Sequence, residues 1–305
     1  MNTSDIVIAN APISYGAFEL TVGVDPAVPD AEALLDQVAA AGYSGIDLGP
    51  VGFLGHGDVL RARLESRGLG LAGGYLELPF SDHAALSDQL GELDALLDVL
   101  EAAPDSHPAP RPTLADAGSV TRRANPGRAA DDHSYGFDAG GWERFAVGLQ
   151  RVIARCRDRG FEPTLHPEAG THIEAAWEIE RALDLTDIGL CLETGHQLVG
   201  GGDAMAALEQ WGARINHVHL KDASMDVIRG TVDDHETADA IWRRQAFLPL
   251  GHGDVPIDDV ISAVQRLDYS GWLVVEQDIL PDPTHPGLAH AHQLANREVL
   301  RSHGL

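Results

Sequence analysis

The chain has 305 residues, 44% of them hydrophobic and 22% charged, which is enough length and apolar content for a large core and excludes a globally disordered polypeptide. With 21 Lys and Arg against 47 Asp and Glu, the formal net charge of −26 argues against a nucleic-acid binder, which needs a basic face, and against docking on an anionic membrane. Two cysteines make neither a disulfide framework nor a CxxC knuckle, no basic leader opens the chain and no apolar run of about 18 residues occurs, so Cys156 and Cys191 read as buried thiols of a cytoplasmic protein.

The elements alternate along the chain. Ile6–Asn10 predicts a first strand. Pro29 and Asp30 open a helix with Leu34, Leu35 and Val38 on one face, and Gly42 closes it, because glycine accepts the left-handed conformation of a helix end. Gly45–Gly49 predicts strand two, a helix follows from about Asp58 to Gly68, and Leu69–Leu76 predicts strand three. Leu86, Leu90, Leu93, Leu97 and Leu100 recur every three or four residues, the spacing of one helical face. Residues 101–140 break this rhythm; they are rich in Pro, Gly, Asp and Arg, with a weak fourth strand near Pro112–Ala115. The next helix turns Phe145, Leu149, Val152, Ile153 and Cys156 inward and ends at Gly160. Strands five to eight are Pro163–Glu168, Ile188–Glu193, Ile215–Leu220 and Leu273–Glu276, with helices between them and a last helix from about Pro286 to Ser302.

Eight strands alternating with helices predict an α/β protein of one domain, a parallel (β/α)8 TIM barrel over residues 1–305 with an insertion near 101–140. A doubly wound open sheet is the alternative fold; no GxGxxG follows the first strand, so a dinucleotide site is unsupported.

The chemistry concentrates at strand ends. Strands five to eight finish on Glu168, Glu193, His219 and Glu276, and in a barrel those ends share one rim, where active sites are built. Any one such side chain could simply face solvent, but four in succession form a ring. Three carboxylates and an imidazole suit a hard to borderline divalent cation, and crowded carboxylates repel without one. The 15 histidines point the same way. Spacing alone does not choose between His217 and His219, nor between His166 and Glu168, since residues two apart on a strand share a face.

The segments His166–Thr171, Leu190–His196 (Leu-Cys-Leu-Glu-Thr-Gly-His), His217–Asp222 (His-Val-His-Leu-Lys-Asp) and Val274–Glu276 resemble the xylose-isomerase-like sugar isomerase/epimerase superfamily. Asn10–Glu19 and Gly73–Leu78 are similar to its inosose dehydratase branch. The resemblance covers most of the chain outside 101–140. It implies a divalent metal ion, Mn2+ first, with Co2+, Mg2+ or Zn2+ as alternatives. It implies Glu168, Glu193, His219 and Glu276 as ligands, with His166 as the substitute for Glu168, because many relatives carry the strand-five glutamate two residues earlier. Glu193 stands where the family usually has aspartate, one methylene shorter. It implies His166, His196 and Lys221 as the catalytic acids and bases.

Tyr15, Glu77 and His252 are the expected substrate contacts; Glu19 and Asp47 are further polar rim residues, and His172 and Asp278 flank the site. Arg111, Arg122, Arg123 and Arg128 lie in the insertion as a lid or as surface partners of excess acid. The implied reaction is loss of water from a keto-cyclitol or keto-sugar through an enediolate. Epimerisation, ketose isomerisation or cleavage of a 3-keto-glycoside on the same metal site are the alternatives. The implied partner is a small polyhydroxylated ketone, with neither nucleic acid nor membrane, and a homo-oligomer would be in keeping with the family.

Overall fold

The computed structural model describes residues 5–105 and 108–305. The predicted strands all form, as β1 (Ile6–Asn10), β2 (Gly45–Ile46), β3 (Gly70–Leu71 and Gly73–Leu78), β4 (Arg111–Asp116), β5 (Thr164–Leu165), β6 (Gly189–Glu193), β7 (Ile215–Leu220) and β8 (Gly271–Val275). They pair in parallel around a single sheet whose two outermost stretches are the two halves of β3, so the sheet closes into a barrel. Ala72 is the joint. Its N–H donates to the Ile46 carbonyl and its own carbonyl accepts from the Arg111 N–H, at 2.8 and 3.0 Å. The closure needs bare backbone beside the joint: a Cβ on Gly73 would lie 2.6 Å from the Arg111 carbonyl oxygen.

Among the described residues eight helices cover the barrel, namely α1 (Ala31–Ala41), α2 (Gly57–Glu65), α3 (His83–Ala102), α4 (Ala139–Asp158), α5 (Ala176–Leu185), α6 (Ala204–Trp211), α7 (Ile257–Arg266) and α8 (Leu288–Ser302). The Asp30 carboxylate caps α1 by accepting from the Ala33 N–H, and Gly42 ends it at φ +87°. The leucine row of α3 and the apolar row of α4 are buried as their spacing predicts. Inside the barrel, Ala9, Ala72, Val274 and the Trp272 indole fill the lower half, and a Cβ on Gly45 would meet that ring at 2.5 Å. Polar side chains begin above this plug.

Several element ends shift by a few residues, and two departures bear on the site. The fourth strand is a full barrel strand, because Arg111–Asp116 pairs along its whole length with β3, so the true insertion is the segment 117–138. The ladder of β5 stops at Leu165, short of His166 and Glu168.

Arg122 fixes the insertion to the barrel. It sits on a short helix, Val120–Arg123, and is buried. Its Nε donates to the Thr171 carbonyl at 2.6 Å, and its Nη2 donates to the Glu174 and Glu178 carboxylates at 3.1 and 2.9 Å. Glu174 also accepts from the N–H groups of Gly127 and Gly170, so one ion cluster joins the insertion to the loop after β5. Arg111, Arg123 and Arg128 lie apart from it, so the four arginines form no common lid. Removing the cation would strand two buried carboxylates. Arg122→Ala is therefore expected to cost about 3–5 kcal/mol of stability, read as a lower urea midpoint; an unchanged midpoint would contradict this role.

Candidate active site and metal centre

Alternation along parallel strands sets which side chains meet. On β6, Cys191 and Glu193 point inward; on β7, His217, His219 and then Lys221 just past the strand; on β8, Trp272, Val274 and then Glu276 just past the strand. The ladder pairs Glu193 with His219.

The Glu-Thr-Gly-His segment builds the rim from its own backbone. Glu193 Oε1 accepts from the Gly195 N–H at 3.1 Å and so caps the short helix Thr194–Val199. Thr194 Oγ1 donates to the Lys221 carbonyl at 2.6 Å and accepts the Lys221 N–H at 2.8 Å, tying the ends of β6 and β7 together. Gly195 leaves room for the lysine stem, since a Cβ there would lie 2.8 Å from Lys221 Cγ. Asp222 turns away from Lys221 and accepts the backbone N–H groups of Gly251, Gly253 and Val255, which explains the Gly-His-Gly loop as a cradle for that carboxylate.

A chamber of about 470 Å³ opens at this rim, with Asp47, Tyr75, Glu77, His166, Glu168, His219, Lys221 and Glu276 among its walls. Four buried residues converge at its floor. His166, Glu193, His219 and Glu276 each offer one donor atom, all within 4.8 Å of one another. His219 Nδ1 lies 3.1 Å from Glu276 Oε2 and 3.4 Å from Glu193 Oε2, and His166 Nε2 lies 3.5 Å from the same Glu193 oxygen. Glu193 Oε2 and both His219 nitrogens are buried without a hydrogen-bond partner. Unpaired buried polar atoms cost roughly 1–3 kcal/mol each, and a divalent cation among them would satisfy the set. The residues therefore fit the ion that the sequence implies.

Glu168, expected among the donors, lies outside this group. Because β5 ends early, His166 occupies the position level with Glu193 and His219, and Glu168 stands above it. Its carboxylate is 3.5 Å from His166 Nδ1 and 3.3 Å from His196 Nε2, and burial pushes its carboxyl up to about 7. His196 is held from both sides. The Ala169 N–H donates to Nδ1 at 3.3 Å, which places the ring proton on Nε2, facing Glu168 and, at 3.7 Å, Asp278. His196 is buried and does not line the chamber.

Lys221 does line it. Its ammonium is 2.9 Å from Asp278, 3.1 Å from Glu276 and 3.3 Å from Glu193. Burial alone would push its pKa down, but these carboxylates outweigh it and hold the amine well above its ordinary range. The Phe247 ring lies 5.1 Å beneath the ammonium, and Trp242 Nε1 donates to Asp278 at 3.0 Å. On the opposite wall Tyr75 donates to Glu77 at 3.1 Å, and Arg123 donates to Glu77 at 2.6 Å. Asp47, 3.8 Å from His219 Nε2, is pushed up to about 7 by burial.

Of the expected substrate contacts, Glu77 reaches the chamber and two do not. Tyr15 is buried outside it, with Tyr43 as its electrostatic neighbour, and His252 is exposed on a turn near His292. His172 stacks on Phe137 and bonds Asp116 at 2.8 Å. Trp242, Phe247 and the chamber role of Arg123 were not legible as site residues. Their segments carry no strand pattern, and only the fold brings them over the rim.

A closed parallel barrel with a polar, cation-ready C-terminal rim defines an enzyme of the TIM-barrel class. The model of the xylose isomerase-like TIM barrel matches residues 35–297, and the chain belongs to that family. It is 29% identical to an inosose dehydratase of Geobacillus kaustophilus, over 84% of this chain and 82% of the relative. It is 26% identical to an inosose dehydratase of Bacillus velezensis, over 94% and 93%. Among solved structures, a D-allulose 3-epimerase from Methylomonas superposes with a TM-score of 0.67 at 15% identity, covering 99% of each chain. The probable 3-DHS dehydratase AsbF of Bacillus anthracis does so with 0.66 at 14% identity, covering 97% of this chain and 98% of that one. These two likenesses concern the fold. Among the described residues no helix is long and apolar enough to cross a membrane.

The two strand-five candidates separate by experiment. Mn2+ is expected to raise the melting temperature of the wild type and of Glu168→Gln, and to leave those of His166→Ala and Glu276→Ala unmoved. A shift kept in His166→Ala and lost in Glu168→Gln would restore Glu168 as the ligand.

Proposed function

We propose that this enzyme is a metal-dependent lyase that removes water from a keto-cyclitol or keto-sugar, the reaction type named for its curated relatives. The observation that carries the reading is the convergence of His166, Glu193, His219 and Glu276 beside Glu168, which lines the chamber and is backed by the buried His196. A divalent ion held by those four residues would supply Lewis-acid polarisation of a substrate carbonyl and offset the negative charge of an enediolate.

The protein's own groups divide the remaining work. Glu168 faces the chamber, stands above the converging donor atoms, and takes the proton from the carbon beside the carbonyl. His196 sits behind it and is a positioning residue rather than the acid expected from the sequence, because it does not reach the chamber. Its Nε2–H orients the Glu168 carboxylate. Lys221 presents its ammonium to the chamber and gives a proton to the β-hydroxyl as the carbon–oxygen bond breaks, so that water leaves and a carbon–carbon double bond remains. Asp278 and Glu193 fix the lysine in place, and Glu276 links it to the donor group. Glu77, fastened by Arg123, and Tyr75 offer hydrogen-bond partners for ring hydroxyls on the opposite wall. The same reading takes a small polyhydroxylated ketone as partner and puts the enzyme in the cytoplasm.

The test is NMR of the Mn2+-loaded enzyme with 2-keto-myo-inositol in deuterated water. A product lighter by one water, with new enone or diketone signals, is expected. Deuterium at the α-carbon without water loss would move the assignment to an epimerase or isomerase. Glu168→Gln should lower kcat by about 10²–10⁴-fold with metal binding kept; full activity in that variant would remove Glu168 from its role.

A further inference from the structure

We propose that the centre holds a second, softer seat, formed by Cys191 with His166 and His219, that takes thiophilic divalent ions such as Zn2+ or Cd2+. This rests on the rim binding a cation as proposed above.

Cys191 precedes Glu193 by two residues on β6, so both side chains enter the barrel and the thiol lies one layer deeper. Its sulfur and one nitrogen from each of His166 and His219 lie within 4.8 Å of one another, and all three residues are buried. A tetrahedral ion about 2.0–2.3 Å from nitrogen and sulfur keeps its donors roughly 3.5 Å apart, so side-chain shifts of about 1 Å complete the seat. Carboxylates of Glu193 and Glu276 stand 3.1–3.5 Å from the two rings, but no hydrogen bond holds three of the four ring nitrogens. His166 Nδ1 and both nitrogens of His219 have no hydrogen-bond partner.

The thiol itself has no other evident use. It is free, buried and absent from the chamber walls, so substrate does not reach it. The two seats share their imidazoles and differ in the remaining donors. The upper seat adds two carboxylates, which suit Mn2+ and Mg2+; the lower adds a sulfur, which suits softer ions. Binding in the lower seat exchanges a proton for the metal: the S–H bond breaks, the proton leaves to solvent, and the sulfur lone pair forms the bond to the ion. An ion drawn down toward Cys191 leaves Glu276 and the chamber surface. Zn2+ and Cd2+ thus load the protein in a form that competes with the active one.

The test is titration of the full-length protein with Cd2+, followed by ultraviolet absorption and by calorimetry. One equivalent is expected to produce a thiolate-to-metal charge-transfer band that survives Cys156→Ala and disappears in Cys191→Ala. In Cys191→Ala, Cd2+ affinity should fall roughly tenfold or more, while Mn2+ affinity, read by electron paramagnetic resonance, stays within about twofold of wild type. Cd2+ bound at one equivalent without the band, or a band that persists in Cys191→Ala, overturns the lower seat and leaves the upper one standing. Failure of both Mn2+ and Cd2+ to bind overturns the metal centre as a whole.

Discussion

Buried like charge is the constraint on which the rest of this structure depends. Asp47, Glu168, Glu193, Glu276 and Asp278 are all buried at one barrel mouth, and a single lysine and three imidazoles face them. Two ionised carboxylates less than 4.8 Å apart, as the donor atoms of Glu193 and Glu276 are, repel by about 3 kcal/mol or more at an effective dielectric constant near 20. Lys221 offsets part of that repulsion by standing between them and Asp278. The orphaned Glu193 oxygen and His219 nitrogens mark where a second cation would offset the rest. Everything nearby keeps this arrangement from relaxing. The Thr194 hydroxyl ties the strand ends, the Asp222 cradle anchors the following loop, and Arg122 clamps the loop after β5.

The barrel supplies the geometry at little cost in special sequence. A parallel register puts every second residue inward, so one motif per strand is enough to fill the ring. The Trp272 plug closes the lower barrel, and bare backbone at Gly45 and Gly73 lets the plug and the β3 joint pack tightly. Above the plug the polar residues are stacked in depth. Cys191 and His217 lie lowest, His166, Glu193 and His219 next, and Glu168, Lys221 and Glu276 uppermost. Depth therefore sets His166 among the converging donor atoms and Glu168 above them, although both leave the same strand end.

The sequence carries the fold clearly because periodicity survives in it. The first and seventh strands appear at the residues their patterns predict, and the apolar rows of α3 and α4 are those that pack. The nearness of Glu193, His219 and Glu276 was legible for the same reason, since each lies at or beside the end of a regular strand. Strand five was not, because its ladder stops at Leu165 and alternation past that point no longer fixes depth. That is why His166 and Glu168 exchange places relative to expectation. Tyr15 and His252 lie off this chamber for a different reason: each sits on a loop or a short 3-10 turn whose direction no local pattern states. Trp242 and Phe247 reach the rim from an excursion after β7, and its path depends on an antiparallel pairing between Asp222–Ala223 and Phe247–Leu248 that is too short to leave a sequence signature.

In the proposed centre one divalent ion is held where four inward side chains converge, with Glu168 left free for chemistry. A crystal structure of the Mn2+-loaded protein, with anomalous scattering recorded at the manganese edge, tests it most directly. A single anomalous peak bounded by His166, Glu193, His219 and Glu276 is expected, with the Glu168 carboxylate outside the coordination sphere. A peak seated between Glu168 and Asp278, or coordination by Glu168 in place of His166, would contradict it.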